Sequence, residues 1–381
     1  MSLSLTEEQH DLAASVREFC RREVGDRAQR DKLTDCGRRS HSPELNRKVA
    51  ELGWAAINLP EEYGGGGGNH VDVCVLLEEL ARGVAPLPWL GTTLITAGIY
   101  NRFAAEQTRR RVISSAASGA ALSISMSEAG AGSDVAALTC RADRFADGWV
   151  VNGSKTWCTN AHLADSILLV ARTARGEKKH HGLTMFHVPT DTPGLVIKGI
   201  DTMNGEEVND LYFTDCVLPV DSVIGEIDKG WGQLMAGLVT ERLILAAQAI
   251  GTAQRAFSDC LTFVTERTQF GSPVGSFQAL KHRIADLATE IECARLLVYS
   301  VAHQADAHGS QSDLSLASSM AKLKATEVAK AMAVEGMQMM GGYGYSTEFD
   351  MVDHLRVSLG ATIYGGTNEI QREIIGRSYG L

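Results

Sequence analysis

One carboxylate sits at a spacing that suits proton abstraction. Leu234, Leu238, Glu241, Leu245 and Gln248 follow one another at i, i+4, i+7, i+11 and i+14. In a helix those positions share one face. A glutamate on a largely apolar stripe is partly desolvated, which raises its pKa and suits it to general-base work. A structural alternative stands beside this: Glu241 paired with Arg242, or with another cation at a domain interface. The segment 125–134, SMSEAGAGSD, is a second cue. Its small residues let a backbone come close to a ligand and present amides and hydroxyls. The same segment also reads as a glycine-rich connection between domains. One hairpin further on, Trp157 and Thr159 offer an aromatic and a hydroxyl to flank a flat ring, although a lone tryptophan in a strand is more often core. Near the C-terminus, 338–342 (QMMGG) and 364–369 (YGGTNE) set glycine beside polar side chains, as backbone donors or as helix caps.

Other chemistries are disfavoured. No GxGxxG follows a strand and opens a helix, and neither GxSxG nor HExxH occurs. The eight cysteines are dispersed without a CxxC pair, so they read as reduced thiols in a cytosol-like compartment. His180-His181 lacks a second half with ligand spacing, so no metal is expected. The 381 residues carry 36 Lys+Arg against 46 Asp+Glu, a formal net charge of -10 that argues against a nucleic-acid or membrane-surface partner. No run approaches the roughly eighteen consecutive apolar residues of a membrane span. The N-terminal MSLSLTEEQHDLAASV has no basic n-region before an apolar stretch, so no signal peptide is expected.

The elements that must position these residues fall into three segments, 1–120, 121–228 and 229–381. The first reads as helical: a capped amphipathic helix after Thr6, others over 43–52, 71–82 and 90–103, and a flexible glycine loop at 64–68. The second reads as an antiparallel β domain, with hairpin turns at Asp147-Gly148 and Asn152-Gly153 and strands over 166–171, 183–188, 195–200 and 210–213. The third returns to long helical periods over 231–266, 275–308, 313–341 and from Thr367. The expected class is α+β and multidomain.

Taken in order along nearly the whole chain, six motifs resemble the acyl-CoA dehydrogenase family. They are 60–65 (PEEYGG), 127–134 (SEAGAGSD), 152–160 (NGSKTWCTN), 266–271 (ERTQFG), 338–344 (QMMGGYG) and 363–370 (IYGGTNEI). The resemblance implies an N-terminal helical domain, a central β domain, a C-terminal four-helix bundle, bound FAD, and a homotetramer or less often a dimer. It implies that Met126, Ser127, Trp157 and Thr159 line the isoalloxazine and that Ser133 lies by the flavin pyrophosphate or the substrate. Arg267, Phe270, Gln278, Gln338 and Gly342 would hold the nucleotide portion across a subunit interface. Thr367 and Glu369 would contact FAD from the last turn, Glu369 standing where many members have glutamine. Arg242 and Gly366 join Ser133 on the substrate side.

In many members a glutamate follows the tyrosine of the last motif; here that position is Gly365. A branch that includes isovaleryl- and long-chain-type enzymes carries its base on the first helix after the β domain, just before an arginine. That position is Glu241, followed by Arg242. The implied reaction is α,β-desaturation of an acyl-CoA thioester to the trans-2-enoyl product. Glu241 takes the α-proton, a β-hydride passes to flavin N5, and the Gly365 backbone N–H steadies the carbonyl. Electrons then leave to an electron-transfer flavoprotein, in a cytoplasmic β-oxidation setting. Rival readings are a carrier-protein-bound acyl substrate, a flavin monooxygenase on the same fold, and a non-catalytic subunit. Both base positions are expected to reach the α-carbon from one side, so exchanging Glu241 and Gly365 should preserve some activity.

Overall fold

The computed structural model describes residues 5–39, 41–308 and 314–381. The first four residues of the N-terminal segment, and residue 313 at the head of one expected helix, lie outside these. The helices are α1 (Glu7–Glu23), α2 (Arg27–Thr34), α3 (Pro43–Glu51), α4 (His70–Arg82), α5 (Pro88–Phe103), α6 (Glu106–Ala117), α7 (Gly230–Glu266), α8 (Gln278–His308), α9 (Ser315–Met340), α10 (Gly342–Tyr345), α11 (Met351–Ala361) and α12 (Asn368–Ser378). The strands are β1 (Leu122–Ser125), β2 (Arg141–Phe145), β3 (Gly148–Thr159), β4 (Ser166–Arg172), β5 (Leu183–Pro189), β6 (Leu195–Thr202), β7 (Gly205–Pro219), β8 (Val223–Ile224), β9 (Thr268–Gln269) and β10 (Ser272–Pro273). The order helices, sheet, helices is as expected. The first helix starts at the predicted cap: Thr6 accepts from the Gln9 amide at 3.2 Å and the Gln9 side chain returns the bond at 3.1 Å.

Two compact units are present. One comprises residues 33–68 and 86–238. Its sheet runs β6-β7-β3-β2-β4-β5-β8, with β1 alongside β4. Most pairs are antiparallel, as predicted, but β1 and β2 each pair with β4 in parallel. Strand β4 is central and buried on both faces. Leu168 and Val170 join a core with Tyr100, Ile113 and Met185, whereas Ile167, Leu169 and Ala171 join one with Trp149, Phe186 and Phe213. That period of two is what a strand with two covered faces requires.

Two turn expectations change. Asp147-Gly148 does lie at the β2–β3 turn, but Asn152-Gly153 sits inside β3. The β3–β7 register slips there, between Val151 and Gly153, so the pair marks a bulge and not a second hairpin. The left-handed Gly153 (φ +140) brings its backbone against Cys140, where a Cβ would lie 2.8 Å away. The 64–68 loop is not flexible either. All five of its amides donate to backbone carbonyls of residues 56–61, at 2.8–3.0 Å. A Cβ on Gly65 would come 2.2 Å from the Leu59 carbonyl oxygen, so the glycines are there for close packing.

The other unit comprises residues 1–32, 69–85 and 239–381, and among the described residues its only strands are those of the β9–β10 hairpin. α9 is its axis, with α8, α11 and α12 packed on it. α7 is long and apolar enough, by length and composition, to cross a bilayer, although the sequence holds no unbroken apolar run of that length. Its apolar residues Leu243, Ile244, Ala246, Ala247 and Ile250 are buried against protein. α2, α6, α10 and α11 were not anticipated one by one; α2 has only Ala28 and Leu33 as apolar residues and α10 is a single turn.

Gly65→Ala is expected to cost roughly 1–3 kcal/mol of stability, because a Cβ there must displace backbone. Gly130→Ala, at a position where a Cβ would meet nothing within 4 Å, should change stability by less than about 0.5 kcal/mol. Chemical denaturation of the two variants checks the contrast.

Candidate active site

The Glu241 stripe is core only at its head, where Leu234 is buried. Val239, Leu243, Ile244, Ala246, Ala247 and Ile250 are buried on the other side of α7, whereas Leu238, Glu241, Leu245 and Gln248 are each half-buried. The predicted face therefore lines accessible space. Glu241 makes no hydrogen bond or ion pair among the described residues. Burial pushes its carboxyl above the ordinary range, outweighing the opposing charges of Arg242 and Lys322. The alternative of a Glu241–Arg242 pair is not realised. Arg242, expected at the substrate, is buried and donates to Ser315 Oγ at 3.2 Å and Ser318 Oγ at 3.4 Å on α9.

Gly365 is beside this carboxylate. A Cβ built there would lie 3.7 Å from Glu241 Oε1 but only 2.1 Å from Leu245 Cδ1. Gly365 and Gly366 are both left-handed, at φ +63 and +77. Their carbonyls are occupied: Gln371 Nε2 donates to each at 3.1 Å, and Lys322 Nζ to that of Gly366 at 2.9 Å. Among the described residues the amides of Gly365 and Gly366 have no acceptor. Successive amides in such a turn form a concavity for a negatively charged oxygen. Sequence reasoning found Gly365 but missed Lys322, Asn368 and Gln371. Lys322 and Gln371 are fully buried polar side chains on α9 and α12, and only their burial marks them.

The sheet unit holds the other motif residues. Met126, Ser127 and Thr159 are half-buried, and the two hydroxyls make no hydrogen bond among the described residues. Trp157 is 59% exposed and left-handed at φ +60, so the expectation that a strand tryptophan is core fails here. An exposed aromatic on a sterically costly backbone is the sort of outlier that ligand sites retain. Ser133, Gly130 and Gly132 are exposed, and a Cβ at either glycine would meet nothing. A buried pair supports this segment from behind. Lys155 Nζ donates to Met126 O at 2.8 Å and to Glu128 Oε1 at 2.9 Å. Glu128 also takes the amides of Thr139 and Cys140, at 2.7 and 2.8 Å. Burial favours its neutral form, yet Lys155 and these amides hold its pKa below the ordinary value. Neither residue was given a role of its own from the sequence, where both appear only within the quoted motifs.

In the helical unit, Arg267, Phe270, Gln278, Gln338 and Gly342 are all exposed. Phe270 is 96% exposed at the tip of the β9–β10 hairpin, left-handed at φ +52. Arg267 lies over the Tyr343 ring, 5.2 Å from its centroid. Thr367 caps α12, and Thr367 and Glu369 line an open cavity of about 470 Å³ with Glu327, Lys330 and Arg372. Exposed aromatics, open hydroxyls and exposed glycines thus occur in each unit.

The chain matches family models for the acyl-CoA dehydrogenase N-terminal domain over residues 6–120, the middle domain over 123–216 and the C-terminal domain over 228–380. It is 34% identical over 382 residues to a probable acyl-CoA dehydrogenase, fadE25, of Mycobacterium leprae (strain TN), covering 98% of this chain and 96% of that one. Among solved structures, the butyryl-CoA dehydrogenase of Megasphaera elsdenii superposes with a TM-score of 0.93 at 29% identity, covering 100% of both chains. An FAD complex of PigA superposes with a TM-score of 0.92 at 27% identity, again covering 100% of both. This chain belongs to the acyl-CoA dehydrogenase family.

Glu128→Gln leaves the Lys155 ammonium buried without its counter-charge. Thermal and denaturant unfolding should show a loss of roughly 3–5 kcal/mol. Because Glu128 is held below its ordinary pKa, its contribution is present above the unfolded-state value and disappears as pH falls through the folded one. The difference between wild type and variant should therefore shrink on acidification.

Proposed function

We propose that this chain is an FAD-dependent acyl-CoA dehydrogenase that introduces an α,β double bond into an acyl thioester, with Glu241 as its base. The observation that carries the reading is the half-buried, unpartnered Glu241 beside the left-handed, side-chain-free Gly365. A carboxylate poised in this way can take the α-proton, because no salt bridge holds its oxygens. The Gly365 amide, joined by that of Gly366, can donate to the thioester carbonyl as negative charge builds on it. When bound, FAD supplies the acceptor for the β-hydride.

Toward FAD the sheet unit offers Met126, Ser127, Ser133, Trp157 and Thr159. The helical unit offers Arg267, Phe270, Gln278, Gln338, Gly342, Thr367 and Glu369. On the substrate side stand Ser133 and Gly366, whereas the buried Arg242 acts by fixing α7 against α9. The near-complete exposure of Phe270 supports a second copy of the chain covering it, in a homotetramer. An electron-transfer flavoprotein is the proposed acceptor and the cytoplasm the proposed compartment. Segments 1–120, 121–228 and 229–381 are the proposed domains.

Anaerobic titration of the yellow holoprotein with a panel of acyl-CoAs tests this and identifies the acyl chain. Glu241→Gln should keep FAD but lose flavin bleaching by a factor of roughly 10²–10⁴. The wild-type reduction rate should fall as pH drops through the raised Glu241 pKa, at an acid limb above the ordinary carboxylate range, and the variant should lack that limb. Reduction of the variant at the wild-type rate removes Glu241 from the role.

The expected exchange of base positions carries a steric cost. Leu245 Cδ1 occupies the space a side chain at 365 requires, and that backbone is left-handed. Glu241→Gly with Gly365→Glu should therefore recover only part of the activity, and more of it when Leu245→Ala is added. Stopped-flow flavin reduction distinguishes the double from the triple variant.

A further inference from the structure

Lys322 is fully buried on α9, and none of its described contacts is an ion pair. Its ammonium donates to two neutral acceptors, Gly366 O at 2.9 Å and Asn368 Oδ1 at 3.1 Å. Both acceptors already have neutral donors. Thr326 Oγ1 reaches Asn368 Oδ1 at 3.1 Å, and Gln371 Nε2 reaches Gly366 O at 3.1 Å. Holding the turn thus does not by itself require a charge, and burying an ammonium without a counter-ion is costly.

The charged groups that face Lys322 are Glu241 and Arg242 on α7 and Glu369 on α12. Arg242 is engaged by serines and Glu369 is exposed at the α12 N-terminus. Glu241 remains: half-buried, with no hydrogen bond of its own. An ammonium at this remove lowers the energy of the carboxylate without capping the oxygen that must receive a proton. It also acts on the turn. A carbonyl and the following N–H share one rigid peptide plane. Lys322 on the Gly366 carbonyl therefore fixes and polarises the Thr367 amide, as Gln371 on the Gly365 carbonyl does the Gly366 amide. The left-handed Gly365, whose own amide is open, is joined directly to these clamped planes.

We propose that Lys322 is a positioning residue for the desaturation. It holds the amide-donor turn in register and supplies the distant positive charge that lets Glu241 ionise inside the protein without being paired. This rests on the reading of Glu241 as the base. Burial pulls the ammonium itself down to about 8, against the pull of Glu241 and Glu369, so the same residue sets an upper pH limit.

The probe that separates the two ideas is acetoacetyl-CoA, a 3-oxoacyl thioester that ionises at its α-carbon without hydride transfer. On the FAD-loaded wild type its enolate should form at lower pH than in water. In Lys322→Gln, which keeps a donor but loses the charge, enolate formation should move to higher pH. Flavin reduction by the best acyl-CoA should slow on the order of a hundredfold. Its acid limb should also move to higher pH, because a carboxylate that loses a nearby cation ionises less readily. Gln371→Met should slow reduction while leaving the acid limb in place, and Lys322→Arg should restore part of the wild-type behaviour. Unchanged enolate formation and an unchanged acid limb in FAD-loaded Lys322→Gln overturn the proposal. If that variant does not fold, the wild type decides: reduction should decline as pH rises through about 8, and a flat profile there overturns it. If Glu241→Gln reduces normally, the base reading fails, but the acetoacetyl-CoA measurement still judges Lys322.

Discussion

The candidate site depends on a carboxylate being kept among protein groups without a direct partner. In most interiors such a group is paired or neutral, because desolvation of an isolated charge exceeds what diffuse attraction returns. Glu241 escapes by standing on the half-buried face of α7. Its helix neighbours at 239, 243, 244, 246, 247 and 250 fix that helix through apolar burial, while the Arg242 guanidinium is drawn off to Ser315 and Ser318. One residue's turn along the helix thus separates an engaged cation from a free anion. The raised pKa of Glu241 follows from the geometry and does not have to be invoked separately.

The two buried lysines show the same constraint solved in opposite ways. Lys155 meets its counter-charge directly, and Glu128 spends its remaining lone pairs on two backbone amides and the Thr139 hydroxyl. Such a closed network specifies one loop conformation and leaves nothing available for proton transfer. Lys322 meets only neutral oxygens. Its network is open at the point where Glu241 faces it, which suits a charge that must change during a reaction. Closure serves shape in the first case, and openness serves chemistry in the second.

Much of this was legible in the sequence because local rules govern it. The Thr6 cap, the long periods of α7 to α9 and the strand runs of β4 and β5 follow from spacing alone, and the ordered motifs identified the family. What escaped depends on long-range packing. Gly65 is needed because Leu59 lies behind it, and Gly153 because Cys140 does; neither neighbour is close enough in sequence to announce the need. Asn152-Gly153 carries a hairpin signal, yet partner strand β7 runs on past it and converts the turn into a bulge. Lys322 and Lys155 look like ordinary surface lysines, and only tertiary structure buries them. Glu241 was found because helical spacing is a local rule: its stripe is buried at Leu234 and half-buried from Leu238 to Gln248, so the carboxylate is partly desolvated as the spacing implies.

The pairing of Leu245 with Gly365 adds a steric element to this stripe. A Cβ at 365 would require the Leu245 methyl to turn aside, and the left-handed backbone at 365 independently disfavours any side chain there. A base at 365 would thus have to displace Leu245 and accept a left-handed backbone. On α7 the residue one turn before Leu245 shares its face. That residue is Glu241. The carboxylate at 241, the absent side chain at 365 and the leucine one turn along α7 form a single steric arrangement, in which Leu245 takes up room that a side chain at 365 would need. Changing any one of them alone removes a part without supplying its replacement.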